Sequence, residues 1–277
     1  MKLRLGLALF LSLLCLVNGL LPAPVLAEDT FSADLVEEEI SLDDEETGSA
    51  GADEPDEPDE PADPTARDAF IDDIIASGQK LFKKARGKAQ RAHYKSDIYI
   101  CKNFTVYLFR QNRDKYRMAE YPDVQLVIPD NLPVKECKPY YYGILWKDIP
   151  ADKGNPFYIA AEFRYDKSLS YEDNLELAMD FMREVKRGDY FQMSADYQYG
   201  KGAHSAIMIA DYDPETDTVH WMDSNMRGGK HADGLRYGLV QFDEEKEIRW
   251  WAEAFCHKNR GATIYRLRDD IIFADGE

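Results

Sequence analysis

The stretch Gly202-Ala203-His204-Ser205-Ala206-Ile207-Met208-Ile209-Ala210-Asp211-Tyr212-Asp213-Pro214-Glu215-Thr216-Asp217-Thr218-Val219-His220-Trp221-Met222-Asp223-Ser224-Asn225 decides the fold. Two apolar, β-rich runs flank the turn-forming Asp213-Pro214-Glu215-Thr216-Asp217, which predicts a hairpin of strands over His204–Tyr212 and Thr218–Met222. His204 opens the first strand, and Asp223 and Asn225 close the second. Asp223 and Asn225 are two residues apart and so share one face of a strand. Either can hold one ring nitrogen of His204 and leave the other free, Asp223 before Asn225 because it also stabilises an imidazolium.

A partner for that histidine lies about a hundred residues earlier. Cys101 opens the run Cys101-Lys102-Asn103-Phe104-Thr105-Val106-Tyr107-Leu108-Phe109, which reads as a helix over about 98–111. The positive end of a helix dipole favours a thiolate, and Phe104, Val106, Leu108 and Phe109 anchor the helix in a core. Cys101, His204 and Asp223 or Asn225 therefore make a candidate set of nucleophile, base and orienting group. The competing readings are a buried structural cysteine, a satisfied core histidine and a polar strand end. The remaining histidines are weaker candidates: His93 ends a basic helix, His231 sits in a glycine-rich loop, His257 ends a helix, and His220 points away from the apolar side of its strand.

These residues resemble the papain-like amidase and endopeptidase superfamily of bacterial cell-wall enzymes, the NlpC/P60 and CHAP groups. The carriers are Cys101-Lys102-Asn103-Phe104 with its apolar helix, the Arg187-Gly188-Asp189-Tyr190-Phe191 turn into a strand, the hairpin from His204 to Val219, and Asp223 and Asn225. The match covers about 98–112 and 185–225. It implies an α+β, papain-like fold in which an antiparallel sheet packs with helices and the nucleophile sits at a helix N-terminus. It also implies hydrolysis of amide bonds in peptidoglycan stem peptides through a Cys-His-Asp set and an acyl-enzyme. Ile100 stands where those families usually carry a polar residue, so the backbone N–H of Cys101 is left as the oxyanion donor. A secreted non-catalytic binding module on the same fold is the alternative, with the basic helix and the aromatic insert making the contacts.

The rest of the chain reads as follows. Lys2 and Arg4, an apolar run from Leu5 to Val17 and the exit Val25-Leu26-Ala27 match a cleaved secretory signal over 1–27. This implies a secreted, periplasmic or cell-envelope protein. Residues 28–66 hold 17 Asp or Glu and no Lys or Arg, with the repeat Glu54-Pro55-Asp56-Glu57-Pro58-Asp59-Glu60-Pro61. They read as a disordered acidic tether, either a plain spacer or an arm that covers the basic stretch behind it. The whole chain carries −18; with the tether and the leader removed, 67–277 carry only −3.

Residues 67–277 suit one domain. The expected elements are a helix over Asp68–Ala92, a long insert over about 112–170 with strands near Val124–Ile128 and Tyr158–Phe163, and a Ser170-capped helix to about Val185. Strands follow at Tyr190–Ser194 and through the hairpin, then a helix over Glu245–His257 and a final strand over Ala262–Leu267. The basic run Lys80, Lys83, Lys84, Arg86, Lys88, Arg91, Lys95 is a solvated helix face or a contact for an anionic surface. No aromatic interleaving points to nucleic acid, and no Cys/His pair has metal-ligand spacing. Neither a cofactor nor a membrane span in the mature chain is expected. Once Cys15 leaves with the signal, Cys101, Cys137 and Cys256 remain, which allows one Cys137–Cys256 bridge with a free Cys101, or three free thiols.

Overall fold

A computed structural model describes residues 64–88, 90–92, 101–129, 146, 149–195, 202–227 and 236–274. The expected leader and most of the acidic segment lie outside these residues, as do Ile100, Cys137, His93 and His231.

The chain is α+β, built on one seven-stranded sheet that is antiparallel at every pairing. In chain order the elements are α1 (Ala66–Ala85), β1 (Gln90–Ala92), α2 (Cys101–Asn112), β2 (Tyr116–Met118), β3 (Phe157–Arg164), α3 (Tyr171–Arg183), β4 (Tyr190–Met193), β5 (His204–Met208), β6 (Thr218–Arg227), β7 (Arg236–Glu247), α4 (Ile248–Phe255), β8 (Gly261–Leu267) and β9 (Ile271–Phe273). Across the sheet the order is β1-β7-β6-β5-β4-β8-β3, while β2 and β9 pair separately.

Both faces of the sheet are covered. Phe157, Tyr190, Ile207, Met222, Val240 and Leu267 pack with Phe70, Ile74, Phe104 and Leu108 of α1 and α2. Phe163, Phe191, Met193, Ala206, Met208 and Ile264 pack with Leu175, Phe181, Trp251 and Phe255 of α3 and α4. Every residue of β4 and β5 is consequently buried, including the polar Gln192 and Ser205, where the Ser205 hydroxyl donates to Gln192 Oε1 at 2.7 Å. Each large apolar side chain so buried contributes about 1.5–3 kcal/mol. Gly78 lets α1 lie close on β6, since a Cβ there would come 2.2 Å from Met222 Sδ.

α1 begins with a capping box in which the Thr65 Oγ accepts from the Asp68 N–H at 3.1 Å and Asp68 accepts from the Thr65 N–H. Such a cap is worth about 1 kcal/mol. The helix stops at Ala85, not Ala92, because Arg86 adopts left-handed geometry (φ 52°) with its N–H on the Phe82 carbonyl at 3.0 Å. Gln90–Ala92 then becomes an edge strand on β7. The basic run is thus split: Lys80, Lys83 and Lys84 are helical, Arg86 and Lys88 lie in the turn, Arg91 is in a strand, and Lys95 lies outside the described residues.

Other expectations also change. Val124–Ile128 makes no ladder; Leu126 and Ile128 are buried in coil, and Val127 N–H reaches only the Gly154 carbonyl. β5 ends at Met208 instead of Tyr212, because the Tyr212 N–H donates to the Val185 carbonyl. The expected helix over Glu245–His257 is strand as far as Glu247 and helical only from Ile248. Helices do not simply precede the sheet: α3 and α4 are interleaved with strands. No described helix is long and apolar enough to cross a membrane.

Candidate active site

α2 carries Cys101 as its first residue, with no acidic side chain in its first turn to oppose the dipole. Phe104, Val106, Leu108 and Phe109 are buried and fix the helix against β5 and β6. Asn112 ties the far end, donating to the Leu108 carbonyl at 2.8 Å and to Ser77 Oγ at 3.0 Å. Cys101 itself is a free, partly buried thiol.

His204 begins β5 and is 8% exposed; Asp223 lies in the neighbouring β6 and is 3% exposed. The His204 Nε2–H donates to Asp223 Oδ2 at 2.7 Å. The same oxygen accepts from Trp221 Nε1 at 3.3 Å. Trp251 of α4 lies nearly parallel to the imidazole, with ring centroids 6.0 Å apart and planes 21° apart. Burial alone would push the His204 pKa down, but the Asp223 charge and hydrogen bond, with a smaller contribution from the nearby Cys101, carry it up to about 10. With Nε2 committed to Asp223, Nδ1 is the ring nitrogen left for the thiol.

The structure therefore brings Cys101, His204 and Asp223 together. Asn225 lies on the same strand, part-buried, and makes no side-chain hydrogen bond among the described residues. The other histidines in view stand apart: His220 Nδ1 meets Asp243 at 2.9 Å on a partly exposed face, and His257 follows α4. Cys256 is a free thiol, 3% exposed, whose pKa burial pushes up to about 11.

Two supporting arginines, Arg260 and Arg266, gave no sequence signal. Arg260, 2% exposed, donates to the carbonyls of Ser194, Ala254 and Gly202. It thereby pins the Gly202-Ala203 turn that delivers His204. Gly188, at φ +87°, makes the turn into β4, and Asp189 behind it is fully buried. Asp189 accepts two bonds from Arg266 at 2.8 Å each and one from the Lys186 N–H at 2.8 Å. That fork closes the start of β4, the strand beside β5. The Gly-Asp pair stood out in the sequence, but its arginine partner is 77 residues away.

Beside the imidazole lies a cavity of about 90 Å³. His204, Asp223, Trp221, Trp250, Trp251 and Glu244 line it, along with Asn225, Gln241 and Lys246, while Cys101 does not. Among the described residues no group of three or more His, Cys, Asp and Glu side chains converges to hold a metal ion. No protein-family model matches the chain, and neither does any curated protein or solved structure.

Proposed function

We propose that this protein is a papain-like cysteine amidase or peptidase working through Cys101, His204 and Asp223. The observation that carries the reading is one buried imidazole held at 2.7 Å by a carboxylate, with a helix-opening thiol near enough to act on its charge. His204 takes the thiol proton, and Asp223 stabilises the resulting imidazolium. The thiolate attacks an amide carbonyl, and the backbone N–H of Cys101 at the start of α2 serves the developing oxyanion. His204 returns the proton to the leaving amine, and water then releases the acyl group. Asn225 is assigned to the substrate side of the cleft and not to the proton relay.

The leader-like first 27 residues and the acidic segment fit a protein exported to the cell envelope or beyond, and peptidoglycan stem peptides are the substrate class proposed there. The exposed Lys80, Lys83, Lys84, Arg86 and Lys88, none with an ion-pair partner among the described residues, suit an anionic surface such as a cell wall.

Iodoacetamide at neutral pH tests the reading. Cys101 is expected to alkylate at least about a hundredfold faster than Cys256, and Cys101→Ala to abolish amide hydrolysis with the fold intact. Alkylation of Cys101 no faster than that of Cys256 leaves a non-catalytic binding module in place of the enzyme.

A further inference from the structure

We propose that the cavity beside His204 binds an N-acetylated sugar, with the acetamido group inside and the ring at the mouth. The site is apart from the thiol. α2, which carries Cys101, packs on the sheet face shared with α1, whereas Trp250 and Trp251 of α4 wall the cavity on the other face, and Cys101 does not line it. What the cavity holds is therefore a recognised group and not the bond being cut, and the site stands with or without a nucleophilic Cys101.

Two buried atoms name the group. Asp223 Oδ1 and Trp251 Nε1 have no hydrogen-bond partner among the described residues, and both residues line the space. Buried polar atoms are normally satisfied, here by whatever fills the cavity. The first needs a donor and the second an acceptor. A secondary amide carries one of each on opposite edges: its N–H suits the Asp223 carboxylate, and its carbonyl suits the indole N–H. The lining has no surplus charge for an ion. His204 meets Asp223 at 2.7 Å. Glu244 and Lys246 carry opposite charges on one face of β7. The guanidinium of Arg260 is engaged with three backbone carbonyls.

Burial and size separate a sugar from a peptide. The inner wall is closed: Met193, His204, Trp221, Asp223, Trp251 and Arg260 are each at most 8% exposed. The outer wall, formed by Asn225, Gln241, Glu244, Lys246 and Trp250, is partly or fully exposed. A volume of about 90 Å³ holds on the order of six waters, enough for an acetamido group and the near edge of a ring. A peptide amide continues into chain at both ends. An acetamido group ends in a methyl, which suits a blind end lined by Met193 and Trp221. At the mouth Trp250 stands nearly parallel to Trp221, with ring centroids 5.7 Å and planes 24° apart, and stays partly exposed. The C–H face of a sugar ring rests favourably on the electron-rich face of an indole. Asn225, Gln241, Glu244 and Lys246 offer donors and acceptors to the ring hydroxyls.

Tryptophan-fluorescence titration of the full-length protein tests this with N-acetylglucosamine, glucose and N-acetylalanine methylamide as probes. Saturable binding of N-acetylglucosamine is expected, with a dissociation constant on the order of a millimolar. Glucose lacks the acetamido group and the methylamide lacks the ring, so each should bind weaker by about tenfold or more. Trp251→Phe keeps a ring and removes the N–H. It should erase the preference for N-acetylglucosamine over glucose and leave glucose binding as it was. Trp250→Ala, at a partly exposed position, should weaken N-acetylglucosamine by about fivefold. No saturable binding of N-acetylglucosamine, equal binding of glucose, or an unchanged preference in Trp251→Phe overturns the inference. So does undiminished affinity in Trp250→Ala, and so does tighter binding of the methylamide, which makes the site one for peptide. The alkylation rate of Cys101 decides the hydrolase reading separately.

Discussion

Replacing Asp223 by Asn keeps the size of the side chain and an oxygen for Trp221 Nε1, and removes only the charge that faces His204. The imidazole is 10% and the carboxylate 5% exposed at the side chain, so solvent screens the pair little. Raising the histidine from 6.5 to about 10, at about 1.4 kcal/mol per pH unit, corresponds to about 5 kcal/mol in favour of the charged ring. Asp223 supplies most of it. That agrees with the roughly 3–5 kcal/mol lost when one member of a buried pair is removed. The sign follows from linkage. A base whose folded pKa is raised contributes fully below its unfolded value near 6.5 and loses that contribution as pH climbs through about 10. Urea unfolding of parent and Asp223→Asn proteins from about pH 6 to about pH 10 is therefore expected to show a deficit of about 3–5 kcal/mol at the low end that shrinks toward the high end. Cys101 alkylation at neutral pH should slow in parallel. A deficit that stays flat or widens with pH refutes the assignment of a charged His204–Asp223 pair.

Gly188→Ala places a Cβ 2.6 Å from Ile71 Cδ1 and Cγ1 at a φ of +87°, and is expected to cost about 2–4 kcal/mol in urea unfolding. Gly202→Ala, where nothing lies within 4 Å, should stay within about 0.5 kcal/mol. Arg260→Met strands the carbonyls that the guanidinium serves, with an expected loss of about 2–4 kcal/mol and a slower Cys101 alkylation as the Gly202-Ala203 turn loosens. Trp251→Ala removes a buried ring that meets His204, Phe191 and Trp221. It should lower stability by about 3–5 kcal/mol, and Trp251→Phe should recover part of that loss.

The hairpin from His204 to Asp223 is legible because its turn chemistry is local. Asp213 accepts from the Glu215 N–H at 2.8 Å and from Thr216 Oγ1 at 2.9 Å, and Asp217 takes the left-handed position at φ 57°. Ser170 as the cap of α3 is legible for the same reason, since its Oγ accepts from the Asp173 N–H at 3.0 Å. The second half of β7 escapes notice because the charged run Asp243-Glu244-Glu245-Lys246-Glu247 carries no apolar face, and pairing with β6 makes it a strand. β1 escapes because Gln90-Arg91-Ala92 continues a helical pattern in composition, although the Arg86-Gly87 stop lies just ahead of it. Cys101, His204 and Asp223 were readable as residue types, whereas Trp251 was not. Its place under His204 depends on α4 packing across the sheet, a contact between residues 47 positions apart that no local pattern encodes.

The strand order has a consequence for when the thiol becomes reactive. β5 sits in the middle of the sheet, and its neighbour β4 is flanked on the other side by β8, which ends at Leu267. The imidazole proposed as the base for Cys101 is therefore seated in a completed sheet only once β8 is in place. Under the proposed mechanism, a chain still lacking β8 would carry Cys101 without a seated base, so thiol reactivity would track completion of the sheet.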